Sequence, residues 1–253
     1  MEFRRARSNV SGDSGRMVPA RRSDSRHPAD AANPLVSVCI VSYNHERYIR
    51  ECLDSVVAQQ TDFPFEVLIG DDRSGDGTMQ IIAEFASRYP GLVRVIGHAT
   101  RLGVTPNMMS VHNSASGEFV AHLDADDCML PGKLQQQVDF LRAHPDHSVV
   151  AHDMEVIDER STVVRAGFGA VSTAVSADLD YLVANGCYFA HSSNMYRRSA
   201  VRTRHRDRLT VDFYFHIEHA LSGLIGCIDR PWVVTAGPRR ESVRPRAPFR
   251  PRC

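Results

Sequence analysis

The sequence PLVSVCIVSYNHERYIRECLDSVVAQ, residues 34–59, combines two patterns that set the architecture of the chain. Its first part, LVSVCIVSY (35–43), is a short continuous apolar run rich in β-branched residues and bounded by Pro34 and Asn44. Such a run is typical of a strand buried on both faces of a parallel sheet. Apolar residues then recur at helical spacing and form one stripe, made of Tyr48, Ile49, Cys52, Leu53, Val56 and Val57. The first unit is therefore predicted to be a strand followed by a helix.

The same alternation continues as far as residue 123. Further strands are predicted at FEVLIG (65–70), LVRVIG (92–97) and EFVAHL (118–123). Apolar residues recur at helical spacing over 81–89, and Pro106 suits the first turn of another helix. This order predicts an α/β fold, a doubly wound, mainly parallel sheet with helices on both faces.

The second half of the chain gives fewer signals. A helix is predicted after Pro131, followed by a strand in SVVAHDMEVID (148–158). Ser176 with Asp178 indicates another helix start, and HIEHALSGL (216–224) has a helical pattern. We therefore expect the fold to continue through this half.

Length and composition favour one folded domain over residues 34–237. A chain of 253 residues with 43% hydrophobic content can bury a full core. The ends, residues 1–33 and 238–253, lack an apolar period, and the second has six Arg and four Pro. Both are predicted to be disordered tails.

Charge and cysteine content exclude some classes of function. The formal net charge is zero, but the Arg-rich tails leave residues 34–237 near −8. An acidic body argues against nucleic-acid binding, which needs clustered positive charge. Six cysteines without a CxxC pair favour reduced thiols and a cytoplasmic location. No apolar stretch reaches the roughly 18–20 residues of a membrane span, although peripheral contact at the inner face of the membrane stays open.

The sequence DADD at 124–127 is the first candidate for chemistry. Its three carboxylates follow an apolar strand directly and would raise one another's pKa unless a cation neutralised them. Hard oxygen ligands in that number suit Mg²⁺ or Mn²⁺, which also takes substrate phosphate oxygens. A solvated acidic turn is an equally good interpretation of these four residues taken alone.

Two neighbouring segments follow other predicted strands. DDRSGDGT (71–78) begins with Asp71 and Asp72, carboxylates that can accept hydrogen bonds from a base or a ribose, although the segment also suits a turn with a helix cap. Tyr43 ends the first strand and can stack on a flat base, although it can also be a packed aromatic. Ligands of such sheets bind beyond the carboxyl ends of the strands. We expect these three segments to converge there.

Taken in order, three segments resemble glycosyltransferase family 2, whose members are inverting enzymes with the GT-A fold. They are PLVSVCIVSYNHERYIRECLDSVVAQ, FEVLIGDDRSGDGT and RLGVTPNMMSVHNSASGEFVAHLDADDCMLPGKL, over roughly residues 34–160. The resemblance is to bacterial enzymes of cell-envelope glycans. It implies a nucleotide-sugar-binding half at 34–130 and an acceptor half at 131–237.

The resemblance also implies roles for individual residues. Those expected at the donor are Tyr43 near the base, Asp72 with Asp71 at the base or ribose, Asp124 at the ribose or diphosphate, Asp126 on the metal, and Asp127 as an auxiliary carboxylate beside it. Arg101 is a candidate for the diphosphate, and an ordinary surface arginine is an equal alternative. The implied cofactor is a divalent cation, Mg²⁺ or Mn²⁺.

After residue 160 the resemblance is confined to two pieces. HSSNMYRRS (191–199) resembles a Ser-rich strand on the acceptor side, and TVDFYFHIEHALSGLIGCIDRP resembles the segment with the acidic base. That base falls on Asp212, with Glu218 as the alternative, although Asp212 also suits a helix cap.

Several histidines are scattered over the second half of the chain. His191, His216 and His219 lack the HExxH arrangement of a metal site, so they are expected at the surface or in an acceptor pocket. No role is predicted for His112, His122 and His152.

The resemblance implies transfer of a sugar from a nucleoside diphosphate sugar, preferably a UDP-sugar, to a glycan or lipid-linked acceptor. The Arg/Pro-rich end departs from the family pattern, so a catalytically impaired, truncated homologue that binds nucleotide sugars is the alternative. A sugar nucleotidyltransferase would need a Gly-rich basic loop after the first strand, where YNHERY has no glycine. An aspartate-nucleophile phosphatase would have its motif there and not after the fourth strand. The oligomeric state is left open.

Overall fold

A computed structural model of the chain describes residues 33–157, 163–166, 176–186, 189–201 and 212–236. The strands within these ranges are β1 (Val36–Ser42), β2 (Phe65–Asp71), β3 (Val93–Ile96), β4 (Phe119–Asp124), β5 (Asp127–Met129), β6 (His147–Ile157), β7 (Val163–Ala166), β8 (Met195–Arg197) and β9 (Leu224–Ala236). The helices are α1 (Ile49–Val57), α2 (Thr78–Arg88), α3 (Val104–Asn113), α4 (Lys133–Ala143), α5 (Leu179–Asn185) and α6 (Asp212–Ala220). The predicted tails lie outside the described residues, except that the structure begins at Asn33.

The strands form one mixed sheet in the order β3-β2-β1-β4-β8-β6-β9-β5, with β7 paired to β6. The first four strands are parallel, as are β6 and β9. Strand β8 is antiparallel to both β4 and β6, and β5 is antiparallel to β9. The predicted α/β class with a mainly parallel sheet is confirmed.

Helices cover both faces of the sheet, as predicted. Apolar side chains of α1, α2 and α4 pack with Val38 and Ile40 of β1 on one face. On the other face, α3, α5 and α6 pack with Cys39 of the same strand. Each fully buried aliphatic side chain contributes about 1.5–3 kcal/mol relative to exposure. Burial on both faces explains why β1 is continuously apolar and does not alternate with polar residues.

Some boundaries of the helices and strands were predicted correctly from the sequence, and others were not. The carboxylate of Asp178 accepts a hydrogen bond from the backbone N–H of Tyr181 at 2.9 Å, so the predicted start of α5 is confirmed. The predicted helix over 216–224 was wrong at its end, because α6 stops at Ala220 and β9 begins at Leu224. Of the predicted strand over 191–199, only β8 (Met195–Arg197) is a strand, and a short 3₁₀ turn lies on each side of it.

The described cysteines are free thiols, as expected. Cys39, Cys52 and Cys227 are buried, and Cys128 is partly exposed. No helix within the described residues is long and apolar enough to cross a bilayer.

Candidate functional site

The ends of β1, β2 and β4 bring three polar segments to one edge of the sheet. Ser42, the last residue of β1, is in register with Asp71 of β2, and Val41 is in register with Asp124 of β4. Neighbouring strands lie about 4.8 Å apart. The expected convergence of the segments after these strands is therefore observed, and it creates a polar edge over an apolar core.

The loops after β1 and β2 are joined by hydrogen bonds. The backbone N–H of Asn44 donates to the Ser74 hydroxyl at 2.8 Å, and its side-chain oxygen accepts from the N–H of Gly75 at 2.8 Å. Asn44 has a φ of 57°, a left-handed conformation that asparagine tolerates. Asp71 is 4% exposed and accepts hydrogen bonds from both the backbone N–H and the hydroxyl of Ser74. Asp71 therefore fixes the shape of this double loop.

Asp72 is also buried, at 2% exposure, and anchors the segment that precedes α3. Its two carboxylate oxygens accept hydrogen bonds from the backbone N–H groups of Leu102, at 2.5 Å, and Gly103, at 2.9 Å. Arg101 Nε lies 3.6 Å from the same carboxylate, and the Arg101 guanidinium lies 3.9 Å from the centre of the Tyr43 ring. Asp72 thus anchors the backbone before α3, a role that the sequence did not predict. Arg101 contacts both Asp72 and the ring of Tyr43.

Asp124 presents a half-exposed carboxylate at the end of β4, with 44% of its side chain accessible. His122 Nε2 lies 3.1 Å from one carboxylate oxygen, and the Ser192 hydroxyl lies 3.3 Å from the other. Burial alone would raise the pKa of Asp124, but the hydrogen bonds from His122 and Ser192 hold it below its usual value. Asp124 is therefore an ionised and oriented acceptor.

Asp126 and Asp127 differ in environment. Asp126 is partly exposed, whereas Asp127 is 5% exposed. Burial, together with repulsion from the two neighbouring carboxylates, raises the pKa of Asp127 to about 7, although the side chains of Ser192 and Thr235 act to lower it. These contacts favour a supporting role for Asp127 and leave Asp124 and Asp126 available to a ligand.

The accessible carboxylates of Asp124 and Asp126 are ligands of the type that magnesium and manganese take. No group of three or more His, Cys, Asp or Glu side chains in the described part of the chain is arranged to hold a metal ion by itself. Mg²⁺ is commonly bound through only one or two carboxylates, with waters and substrate phosphates supplying the other ligands. Asp124 and Asp126 supply two carboxylates of this kind.

A buried lysine lies behind the acidic cluster, and the sequence analysis gave it no role. The Lys133 side chain is fully buried, and its ammonium donates to Gln137 Oε1 at 3.0 Å. Burial lowers the pKa of Lys133 to about 7, and the charge of Asp127 acts in the opposite direction. A lysine at the first position of a helix carries no sequence signal of burial, so only the tertiary structure reveals it.

The histidines expected at the surface or in an acceptor pocket are buried, and their place in an acceptor pocket stays a prediction. His216 and His219 are fully buried and His191 is 9% exposed, so the surface expectation was wrong. The cause is packing on α6, whose inner face places His216 and His219 against the sheet. Burial lowers the pKa of both residues to about 3. His112 and His122, for which no role was predicted, join the same buried group.

The second turn of α6 lies next to the segment that contacts Asp124. Asp212 is the first residue of α6, and its side chain lies outside what the structure describes. One turn later, the ring of His216 lies 5.3 Å from the ring of His191, whose neighbour Ser192 contacts Asp124. Glu218 is 8% exposed, so the alternative base is largely shielded from solvent.

Comparison with known proteins identifies the family of the chain from its sequence and shows which solved structures share its fold. The sequence model described as Glycosyl transferase family 2 matches residues 37–204. An uncharacterized protein of Mycobacterium tuberculosis is 37% identical over 201 residues, covering 79% of this chain and 58% of that protein. EpsE of Bacillus subtilis, a glycosyltransferase by name, is 32% identical over 174 residues, covering 68% of this chain and 59% of that protein.

Solved structures with the same fold include two with bound nucleotide sugars. S. aureus TarS 1-349 in complex with UDP-GlcNAc has a TM-score of 0.64 and 24% identity, covering 81% of this chain and 59% of that one. The mannosyltransferase PcManGT of Pyrobaculum calidifontis, in complex with GDP-Man and Mn²⁺, has a TM-score of 0.60 and 23% identity, and the match covers 83% of this chain and 59% of that one. The fold is that of GT-A glycosyltransferases, and the chain spans somewhat less than two thirds of the relatives that it matches.

Proposed function

The chain belongs to glycosyltransferase family 2, and on this basis we propose that it transfers a sugar from a nucleoside diphosphate sugar to a hydroxyl of a glycan or lipid-linked acceptor. The observation that carries the proposal is the convergence of Tyr43, Asp124 and Asp126 at the carboxyl edge of the sheet. An aromatic ring and two accessible carboxylates there match the base, ribose and metal-bound diphosphate of such a donor. The bound nucleotide sugars of TarS and PcManGT support the same ligand class.

The donor is proposed to lie along this edge in a defined order. The base lies near Tyr43 and Asp72, the ribose near Asp124, and the diphosphate near Asp126 and Arg101. A divalent cation held by Asp126 and Asp124 would neutralise charge on the diphosphate as it leaves. A UDP-sugar is our first choice of donor.

The residue proposed to move a proton is Asp212. As the acceptor oxygen attacks the anomeric carbon, the Asp212 carboxylate takes the proton of that hydroxyl and the bond from the anomeric carbon to the diphosphate breaks. Attack opposite the leaving group inverts the anomeric centre. The link from α6 through His191 and Ser192 to Asp124 supports a base at the start of this helix.

Calorimetric titration with UDP-sugars and GDP-sugars, with and without Mn²⁺, tests the donor site. The wild-type chain is expected to bind one donor only when Mn²⁺ is present, and Asp126→Ala is expected to abolish that binding. Asp54→Ala, an exposed aspartate on α1, is the matched control and should bind like the wild type. Metal-independent binding, or unchanged binding by Asp126→Ala, would contradict the proposed site.

Release of nucleoside diphosphate separates catalysis from binding. The wild-type chain should slowly hydrolyse its donor with Mn²⁺ and no acceptor, whereas Asp212→Asn should bind the donor and lose transfer to an acceptor. A chain that binds donor and releases no nucleoside diphosphate would support the alternative, an inactive nucleotide-sugar-binding homologue. Peripheral contact with the inner face of a membrane is a further proposal, which co-sedimentation with anionic liposomes tests.

A further inference from the structure

A line of buried hydrogen bonds runs from the interior to Asp124. The Tyr196 hydroxyl lies 2.7 Å from His112 Nδ1, and His112 Nε2 lies 2.9 Å from His122 Nδ1. His122 Nε2 in turn lies 3.1 Å from Asp124 Oδ1. The three interior side chains are 7% exposed or less. The line joins β8, α3 and β4, so its members are brought together only by the tertiary fold.

The ionised carboxylate at one end fixes the direction of every hydrogen bond in the line when both rings are neutral. An ionised carboxylate only accepts, so His122 must carry its proton on Nε2 to meet Asp124. In the neutral ring, His122 Nδ1 is then an acceptor, and the group facing it, His112 Nε2, must be the donor. His112 Nδ1 is left to accept from the Tyr196 hydroxyl. With both rings neutral, this is the one arrangement in which each group in the line satisfies its neighbour.

Burial supports a neutral ring at His112. Loss of solvation holds the pKa of His112 well below its usual value. A neutral imidazole has one donor nitrogen and one acceptor nitrogen. In a line of such rings, the direction of the hydrogen bond at one end therefore sets the direction of the next ones. Without His112 and Tyr196, the Asp124 carboxylate alone would favour the Nε2–H tautomer of His122.

We propose that His122 is a positioning residue for Asp124, held in its Nε2-protonated tautomer by His112 and Tyr196. It acts by fixing the direction of the Asp124 carboxylate before the donor arrives. This inference rests on the proposed function only for its effect on donor binding, because the tautomers exist in the free chain. No other member of the buried histidine group reaches Asp124 by a hydrogen bond among the described residues.

The tautomers are measured directly by nitrogen-15 NMR of the histidine side chains in the ligand-free full-length chain. Long-range proton–nitrogen spectra distinguish Nδ1–H, Nε2–H and doubly protonated rings, and His112→Gln and His122→Gln variants assign the signals. Both rings are expected as the Nε2–H tautomer near neutral pH. An Nδ1–H tautomer or a doubly protonated ring at either residue would overturn the inference, whether or not the chain is an enzyme.

Donor binding tests the consequence for Asp124. Loss of a hydrogen bond to a charged group corresponds to about a tenfold to hundredfold change in an equilibrium constant. His122→Leu is therefore expected to weaken Mn²⁺-dependent binding of the UDP-sugar by at least about tenfold. His122→Gln, whose amide can donate to Asp124, should recover part of the loss. If His122→Leu does not fold, the comparison of His122→Gln with the wild type decides, with a weaker but measurable donor affinity expected.

Tyr196, at the interior end of the line, is tested by a separate variant. Tyr196→Phe removes only the hydroxyl and keeps the ring packed against Phe215 and His219. It should weaken donor binding by about threefold, a smaller effect because two hydrogen bonds of the line remain. The control, Tyr181→Phe on α5, should bind like the wild type. If the wild type binds no nucleotide sugar, the proposed function fails, whereas binding that is equal in wild type, His122→Leu and Tyr196→Phe would overturn the positioning role alone.

Discussion

Acidification from about pH 7.5 to about pH 5 should destabilise the folded chain, because His216 and His219 are buried where a charged ring is not tolerated. Burial lowers the pKa of both side chains from 6.5 to about 3. Neither ring nitrogen of either residue has a hydrogen-bond partner among the described residues. The two histidines therefore stay neutral in the folded chain over a range in which they become charged in the unfolded chain.

The direction of the effect follows from proton uptake. Between a pH of about 6.5 and about 3, the unfolded chain binds more protons at these two positions than the folded chain, so acid favours unfolding. The stability is fully present above the unfolded pKa and falls as the pH decreases below it. At about pH 5, which is about 1.5 units below the unfolded pKa, each histidine costs about 2 kcal/mol, since one unit corresponds to about 1.4 kcal/mol.

Urea denaturation at both pH values measures this loss, and His219→Leu isolates one contribution. Leu fills a site that packs on Tyr196 and Phe215 and cannot titrate. The variant should lose about 2 kcal/mol less than the wild type between the two pH values. His144→Gln, which replaces an exposed histidine, should keep the wild-type difference. An equal loss in wild type and His219→Leu would refute the reasoning.

Two further variants test the packing beneath the site and the loop beside it. Gly70→Ala should lower the free energy of unfolding by about 1–3 kcal/mol in urea titrations, because its added methyl group would overlap Asn107, whereas Gly75→Ala meets nothing within 4 Å and should not. A loss of stability that is equal in the two glycine variants would contradict this packing argument. Asp72→Ala should speed amide hydrogen exchange at Leu102 and cost about 1–3 kcal/mol, since it leaves buried N–H groups without an acceptor. Unchanged exchange there would show that the loop does not depend on Asp72.

The half of the fold from β1 to β4 could be predicted because each strand there is a distinct apolar run. Burial on both faces makes β1 and β2 continuously apolar, and parallel pairing then brings their ends to one edge. Strand β9 could not be predicted in the same way. Its Asp229 and Arg230 are exposed and coincide with a register shift against β6, so the sequence pattern is interrupted within one strand.

The positions of the candidate site residues could be predicted, but most of their contacts could not. Acidic residues after strands identified Asp72 and Asp124, since strand order alone fixes where such residues lie. The partners of Asp124 come from distant segments, because Ser192 is 68 residues away and His122 lies within an apolar strand. Which carboxylate is buried and which is exposed depends on antiparallel pairing of β5 with β9, and no local pattern indicated that pairing.

The guanidinium of Arg101 lies over the ring of Tyr43, so a base that stacks on this ring would compete with the arginine. A cation over an aromatic face contributes about 0.5–1 kcal/mol at an exposed position, and a stacked base contributes about 1–3 kcal/mol. A base that takes this face of Tyr43 therefore displaces the arginine at a modest cost. The freed guanidinium would remain beside Asp72, where the diphosphate of the proposed donor is expected.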